Sequence, residues 1–173
     1  MSAHTPYASA TVCSTSLNSV KPSEYFVSNF SLVDQHGERV KLSDFKGRKL
    51  IVYFYPKADT PGCTTQSCAL RDAEPDLKKL KAVVLGISPD TPEKQAKFDD
   101  KYGLGFTLLA DTEHTVAEKY GVWGEKVNYG RKYMGIIRSA FVVDAAGKLA
   151  GVFYKISPKD TVPKVTKVLE ELG

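Results

Sequence analysis

Leu50 to Tyr55 are all apolar or aromatic, and the run stops at Pro56. A strand with one face in water alternates polar and apolar side chains, so an unbroken run reads as a strand covered on both faces. Such a strand belongs in the middle of a sheet, and the rest of the chain must supply layers on either side of it. It is also the longest apolar run in the chain and falls far short of the roughly 20 residues needed to cross a bilayer, so no membrane span is expected.

The flanking pattern supplies those layers. Upstream, FSLVD, a QHGE turn and RVKLSDF predict a β-hairpin, and KGRK leads into the apolar strand. Downstream, a helix is predicted from about Thr60, with Leu70, Ala73, Leu77 and Leu80 stepping by three and four residues. Pro75 is expected to kink or interrupt it. The series then repeats as strand AVVLGIS, helix PEKQAKFDDKYG, strand FTLLAD and helix TEHTVAEKYG. Strands SAFVVD and LAGVFYK about an AAGK turn follow, and PKDTVPKVTKVLEEL closes the chain as a helix. The class is α/β: a mixed central β-sheet flanked by helices, with an N-terminal β-hairpin.

With 173 residues, 42% of them hydrophobic, there is material for one full core, assigned to residues 23–173. The first twenty residues contain no Lys, Arg, Asp or Glu, and eleven of them are Ser, Thr or Ala, so residues 1–22 read as a flexible tail. A remnant of an organelle-targeting peptide is the alternative for that segment. The net charge of +4 is mild and its Lys and Arg are interspersed with Asp and Glu, which argues against nucleic acid as a partner. Three cysteines make no disulfide framework, and the odd count fits a reducing, cytoplasmic compartment.

Two of those cysteines, Cys63 and Cys68, follow a Thr-Pro-Gly turn directly after the apolar strand. Thr60 is a good N-cap, Pro61 suits the first helical position, and Gly62 allows close approach of the backbone, so Cys63 falls in the first helical turn. Unpaired amides and the positive end of the helix dipole favour an anion there, which makes Cys63 a candidate nucleophile. Cys68 lies five residues on. An ideal helix separates such residues by about 140° and roughly 8 to 9 Å between Cα atoms, whereas a disulfide needs less than about 7 Å. The two thiols can join only if the first turns unwind, which suits a bond made during a cycle better than a permanent staple. Cys63 is expected toward the apolar stripe of the helix and Cys68 well away from it. Thiol-disulfide exchange would normally use Cys-x-x-Cys, and zinc would need two further ligands, whereas His36 and His114 stand isolated. No metal or cofactor is expected.

The stretch YFYPKADTPGCTTQSCALRD closely resembles the peroxiredoxin Q type, also called bacterioferritin comigratory protein. The later YGVWGEK, YGRKYMGIIRSAFVVD and GKLAGVFYK are similar to it too, so the likeness runs from about residue 26 to the end. It rests chiefly on the motif of Pro56, Thr60 and Cys63. The resemblance implies a thioredoxin-like fold and a thiol peroxidase acting on hydrogen peroxide and alkyl hydroperoxides. It implies that Cys63 becomes a sulfenic acid and that Cys68 resolves it as an intramolecular disulfide. The family's charge-stabilising set maps onto the Thr60 hydroxyl, the amides of Gly62 and Cys63, and the Arg138 guanidinium, with Pro56 limiting water at the sulfur. Thioredoxin, or a glutaredoxin-type system, is the implied reductant, and a monomer suffices because both thiols lie in one chain.

Each assignment has a plainer counterpart. Arg138 alone reads as a surface ion pair, Pro56 as a strand terminator and Trp123 as a packing residue. YGRKYMG reads as a flexible basic loop with a structural or reductant-docking role, and Cys13 as incidental. A thiol-disulfide oxidoreductase or a redox-gated binding module are the competing functions.

Overall fold

The computed structural model describes residues 26–173. The reading of residues 1–22 as a tail, and Cys13 within it, lies outside the described residues. Strands β1 (Ser31–Asp34) and β2 (Arg39–Lys41) form the antiparallel N-terminal hairpin, and β2 runs into a 3-10 turn at Leu42–Phe45. Next come β3 (Lys49–Phe54), α1 (Pro61–Lys79), β4 (Ala82–Ser88), α2 (Pro92–Tyr102), β5 (Thr107–Ala110) and α3 (Thr115–Lys119). The chain closes with β6 (Trp123–Asn128), β7 (Arg131–Ile136), β8 (Ser139–Val143), β9 (Leu149–Tyr154) and α4 (Thr161–Leu172).

Seven strands align in the order β2-β1-β5-β4-β3-β8-β9. The β3-β4-β5 centre is parallel and the flanking pairs are antiparallel, so the sheet is mixed as expected. Every residue of β3 is buried. Strand alternation divides its side chains between two cores. Ile51, Tyr53 and Tyr55 pack with Leu70 and Leu77 of α1, Phe98 of α2, and Val165 and Leu169 of α4. Leu50, Val52 and Phe54 pack on the other face with Val116 and Ala117 of α3, Tyr120 and Ile136. The unbroken apolar run is thus a consequence of two covered faces. Among the described residues, no helix is long and apolar enough to cross a membrane.

Two expectations need correction. Pro75 does not interrupt α1, which is continuous across it. Proline removes one amide donor and crowds the carbonyl four residues earlier; here it sits on the exposed side, where water can serve that carbonyl, while Leu70 and Leu77 anchor the helix on either side. YGRKYMG is not a loose loop but the turn and second strand of an antiparallel hairpin, β6-β7, paired from Trp123↔Ile136 to Asn128↔Arg131. Its residues are mostly exposed and polar, so they lack the apolar alternation that marks a strand in sequence. Trp123 fastens the hairpin to α3 by stacking on His114, with ring centroids 4.0 Å apart and planes 2° from parallel.

Candidate active site

Where β3 ends, the chain makes a short loop, Pro56 to Thr60, and enters α1. The loop is tied down from α2 and its approach. The Ala58 amide donates to Asp90 Oδ2 at 2.7 Å. Asp59, at φ +57°, accepts from Lys101 Nζ at 2.8 and 2.9 Å and from the Tyr102 hydroxyl at 2.7 Å. Hydrogen bonds from Lys101 and then Tyr102 hold the Asp59 carboxyl below the usual carboxylate range.

Thr60 occupies the N-cap position with extended backbone (φ −103°, ψ 155°), but its hydroxyl does not cap the helix as expected. The side chain turns back into the loop and donates to the Lys57 carbonyl at 2.8 Å. Its proton is therefore engaged, and its oxygen remains an acceptor. The first intrahelical bond runs from Thr64 N to Thr60 O at 2.8 Å, so the Gly62 and Cys63 amides precede the helical ladder.

Cys63 is fully buried in the core that lies against α1. Arg138, in the link between β7 and β8, reaches across to it, and Nη2 donates to Cys63 Sγ at 3.4 Å. Its other terminal nitrogen, Nη1, donates to Gln66 Oε1 at 2.7 Å. Gln66 Nε2 donates in turn to Thr161 Oγ1 at 2.9 Å, and Thr161 donates to the Ser157 carbonyl at 3.0 Å. One chain of hydrogen bonds thus links α4, α1, the guanidinium and the thiol. Gly62 leaves room for this packing, because a Cβ there would lie 3.0 Å from Arg138 Nη2 and press on the guanidinium.

Both described cysteines are free thiols. They share the intact helix α1, so a disulfide between them requires that helix to open locally. Cys68 does not point well away from the apolar side, as expected, but is half-buried against the same core cluster as Cys63. Between them, Ser67 is fully buried and its hydroxyl pairs with the Tyr53 hydroxyl at 2.8 Å. Burial pushes the Tyr53 hydroxyl far above the ordinary phenol range, so it stays protonated. Pro56 is half-buried at the head of the loop.

The structure brings Cys63 and Arg138 into contact, with Thr60 and Pro56 on the loop that feeds the helix. Gln66, Thr161, Tyr53 and Ser67 were not singled out from sequence. Gln66 carried a legible signal, since a residue three places after Cys63 shares its helix face. Thr161 did not, because its partner lies 95 residues away. Among the described residues no three His, Cys, Asp or Glu side chains converge as metal ligands.

The family model described as AhpC/TSA matches residues 25–152. Peroxiredoxin Bcp of Escherichia coli is 56% identical over 124 residues, covering 72% of this chain and 80% of its own. A putative peroxiredoxin bcp of Haemophilus influenzae is 51% identical over 143 residues, 83% of this chain and 92% of its own. Among solved structures, the bacterioferritin comigratory protein of Xanthomonas campestris, described in terms of its alkyl peroxide reduction activity, superposes with a TM-score of 0.78 at 29% identity. That match covers 83% of this chain and 91% of the Xanthomonas chain. The sheet flanked by helices is a thioredoxin-like fold, and the chain belongs to the AhpC/TSA family as a peroxiredoxin of the Bcp, or peroxiredoxin Q, type.

Proposed function

We propose that this peroxiredoxin reduces alkyl hydroperoxides and hydrogen peroxide through Cys63, with Cys68 resolving the product in the same chain. The observation that carries this reading is the buried Cys63 thiol at a helix start with a guanidinium N–H 3.4 Å from its sulfur. The Cys63 thiolate attacks the terminal peroxide oxygen and the O–O bond breaks. That oxygen, with its hydrogen, passes to sulfur as a sulfenic acid, and the other leaves as an alkoxide or hydroxide that takes up a proton. Sulfur loses two electrons and the peroxide gains them.

Arg138 and the Gly62 and Cys63 amides stabilise the negative charge on the separating oxygens. The Thr60 oxygen accepts a hydrogen bond from the protonated peroxide oxygen, and Pro56 shields the sulfur from water. Cys68 then attacks the sulfenic sulfur, water leaves, and the Cys63–Cys68 disulfide forms as α1 opens. A dithiol reductant of thioredoxin or glutaredoxin type supplies two electrons and restores both thiols. The alkyl peroxide activity described for the Xanthomonas protein supports the substrate class.

The cycle needs no second subunit, so the chain works as a monomer, with residues 23–173 as the catalytic domain and 1–22 as an appended tail. Its place is the cytoplasm, the alternative being an organelle reached through that tail. A coupled assay tests the reading: NADPH, thioredoxin reductase, thioredoxin and cumene hydroperoxide. Turnover that vanishes in Cys63→Ser is expected, and peroxide consumption unchanged in that variant would overturn it.

A further inference from the structure

The Thr60 hydroxyl and the Asp90 carboxylate grip the two ends of one peptide group. Thr60 Oγ1 donates to the Lys57 carbonyl at 2.8 Å, and the amide of that same peptide unit, Ala58 N–H, donates to Asp90 Oδ2 at 2.7 Å. A peptide unit is planar and trans, with its C=O and N–H pointing in opposite directions, so fixing one end fixes the line of the other. An acceptor on the N–H also polarises the C=O, and a charged acceptor does so more strongly. The direction in which Lys57 takes the Thr60 proton, and with it the direction of the remaining Thr60 lone pair, is therefore set from Asp90.

Asp90 is itself held in place. It is buried between β4 and α2, and the same Oδ2 accepts from Ser88 Oγ at 2.8 Å while the Asp90 amide donates back to Ser88 Oγ at 3.2 Å. Gln95 Nε2 donates to Ser88 Oγ at 2.9 Å and to the Leu109 carbonyl at 3.0 Å, and Gln95 Oε1 accepts from the Tyr55 hydroxyl. Ser88, Gln95 and Tyr55 are fully buried. A network spanning β4, β5, α2 and the residue after β3 thus delivers one carboxylate oxygen to the middle of the loop. The loop's own acid, Asp59, is engaged separately by Lys101 and Tyr102.

We propose that Asp90 is a positioning residue of the peroxide site: through the peptide between Lys57 and Ala58 it aims the Thr60 oxygen at the O–H of the incoming hydroperoxide. The proposal rests on the reading of Thr60 as the acceptor of that proton. Asp90 itself acts only through the loop.

The test is a double-mutant cycle of Asp90→Ala with Thr60→Val on the reduced protein. Two rates are read: single-turnover consumption of cumene hydroperoxide, and modification of Cys63 by methyl methanethiosulfonate, which carries no O–H or N–H for Thr60 to accept. Asp90→Ala should slow peroxide consumption about tenfold and leave the second rate unchanged. It should add little once Thr60→Val is present, because both act through one oxygen. Asp90→Asn should restore most of the peroxide rate, since both bonds fall on a single oxygen that an amide retains. Peroxide consumption unchanged in Asp90→Ala, a parallel fall of both rates, or an equal further loss in the Thr60→Val background overturns the proposal.

A second measurement leaves Asp90 in place and so holds even where Asp90→Ala does not fold. In Thr60→Val the Ala58 amide proton should move upfield in the NMR spectrum, as its peptide group loses the donor on its carbonyl. An unmoved Ala58 amide overturns the proposal as well. The peroxidase reading is decided separately, by peroxide consumption in Cys63→Ser.

Discussion

Gln66 holds Arg138 in place: its amide oxygen accepts from Nη1 at 2.7 Å while its amide nitrogen is fixed on Thr161 at 2.9 Å. The guanidinium can then present Nη2 to sulfur without reorganising. Replacing Arg138 by Lys keeps the charge but loses the fork. The second-order rate of Cys63 with peroxide is expected to fall about 100-fold or more, as for loss of a preorganised donor at developing charge. Gln66→Leu should give a smaller loss, about tenfold, because the guanidinium remains but is less well aimed. Stopped-flow kinetics following the single tryptophan, Trp123, would measure both. Equal rates in wild type and Gln66→Leu would show that Arg138 needs no such support.

Ser67 lies between the two thiols, and its bond to Tyr53 ties down the segment of α1 that would have to open in the proposed Cys63–Cys68 step. Ser67→Ala should lower global stability by about 1 kcal/mol, and more if the Tyr53 hydroxyl finds no other partner. It should also speed disulfide formation after oxidation by about fivefold, the factor corresponding to roughly 1 kcal/mol. Urea unfolding and the rate of thiol loss after a peroxide pulse would report the two effects. A slower disulfide step in this variant would argue against the pinning role.

The bonds at Asp59 predict acid sensitivity of the loop ahead of Cys63. The carboxyl is held below its ordinary range, so the stabilisation is fully present above about pH 4 and is lost as pH falls through the folded-state value. Asn tolerates the left-handed conformation found at Asp59 but carries no charge for Lys101. Wild type and Asp59→Asn should therefore differ in urea midpoint at pH 7 and converge toward pH 3. A difference that stays constant across this range would remove Lys101 and Tyr102 as its cause.

The sheet and most of its helices were legible because apolar periodicity is a local signal. AVVLGIS matches β4, and PEKQAKFDDKYG contains all of α2. The hairpin β6-β7 was not, because Lys126, Val127, Asn128, Arg131 and Lys132 form a strand pair without a buried face to impose alternation. Pro75 misled because the rule against interior proline concerns one turn, whereas the buried leucines on either side decide whether the helix continues. At the site, Cys63, Thr60 and Pro56 lie in one short stretch and Arg138 came from family likeness. Gln66 and Thr161 matter through contacts between distant segments, which no local spacing encodes.

The most direct measurement is intact mass and thiol count after one equivalent of hydrogen peroxide on the reduced protein, repeated for Cys63→Ser and Cys68→Ser. The account predicts that wild type loses about two hydrogens rapidly, Cys63→Ser stays inert, and Cys68→Ser holds a sulfenic acid that dimedone traps. Oxidation of Cys63→Ser as fast as wild type would contradict it, because the peroxide would then be reacting somewhere other than the thiol that Arg138 faces.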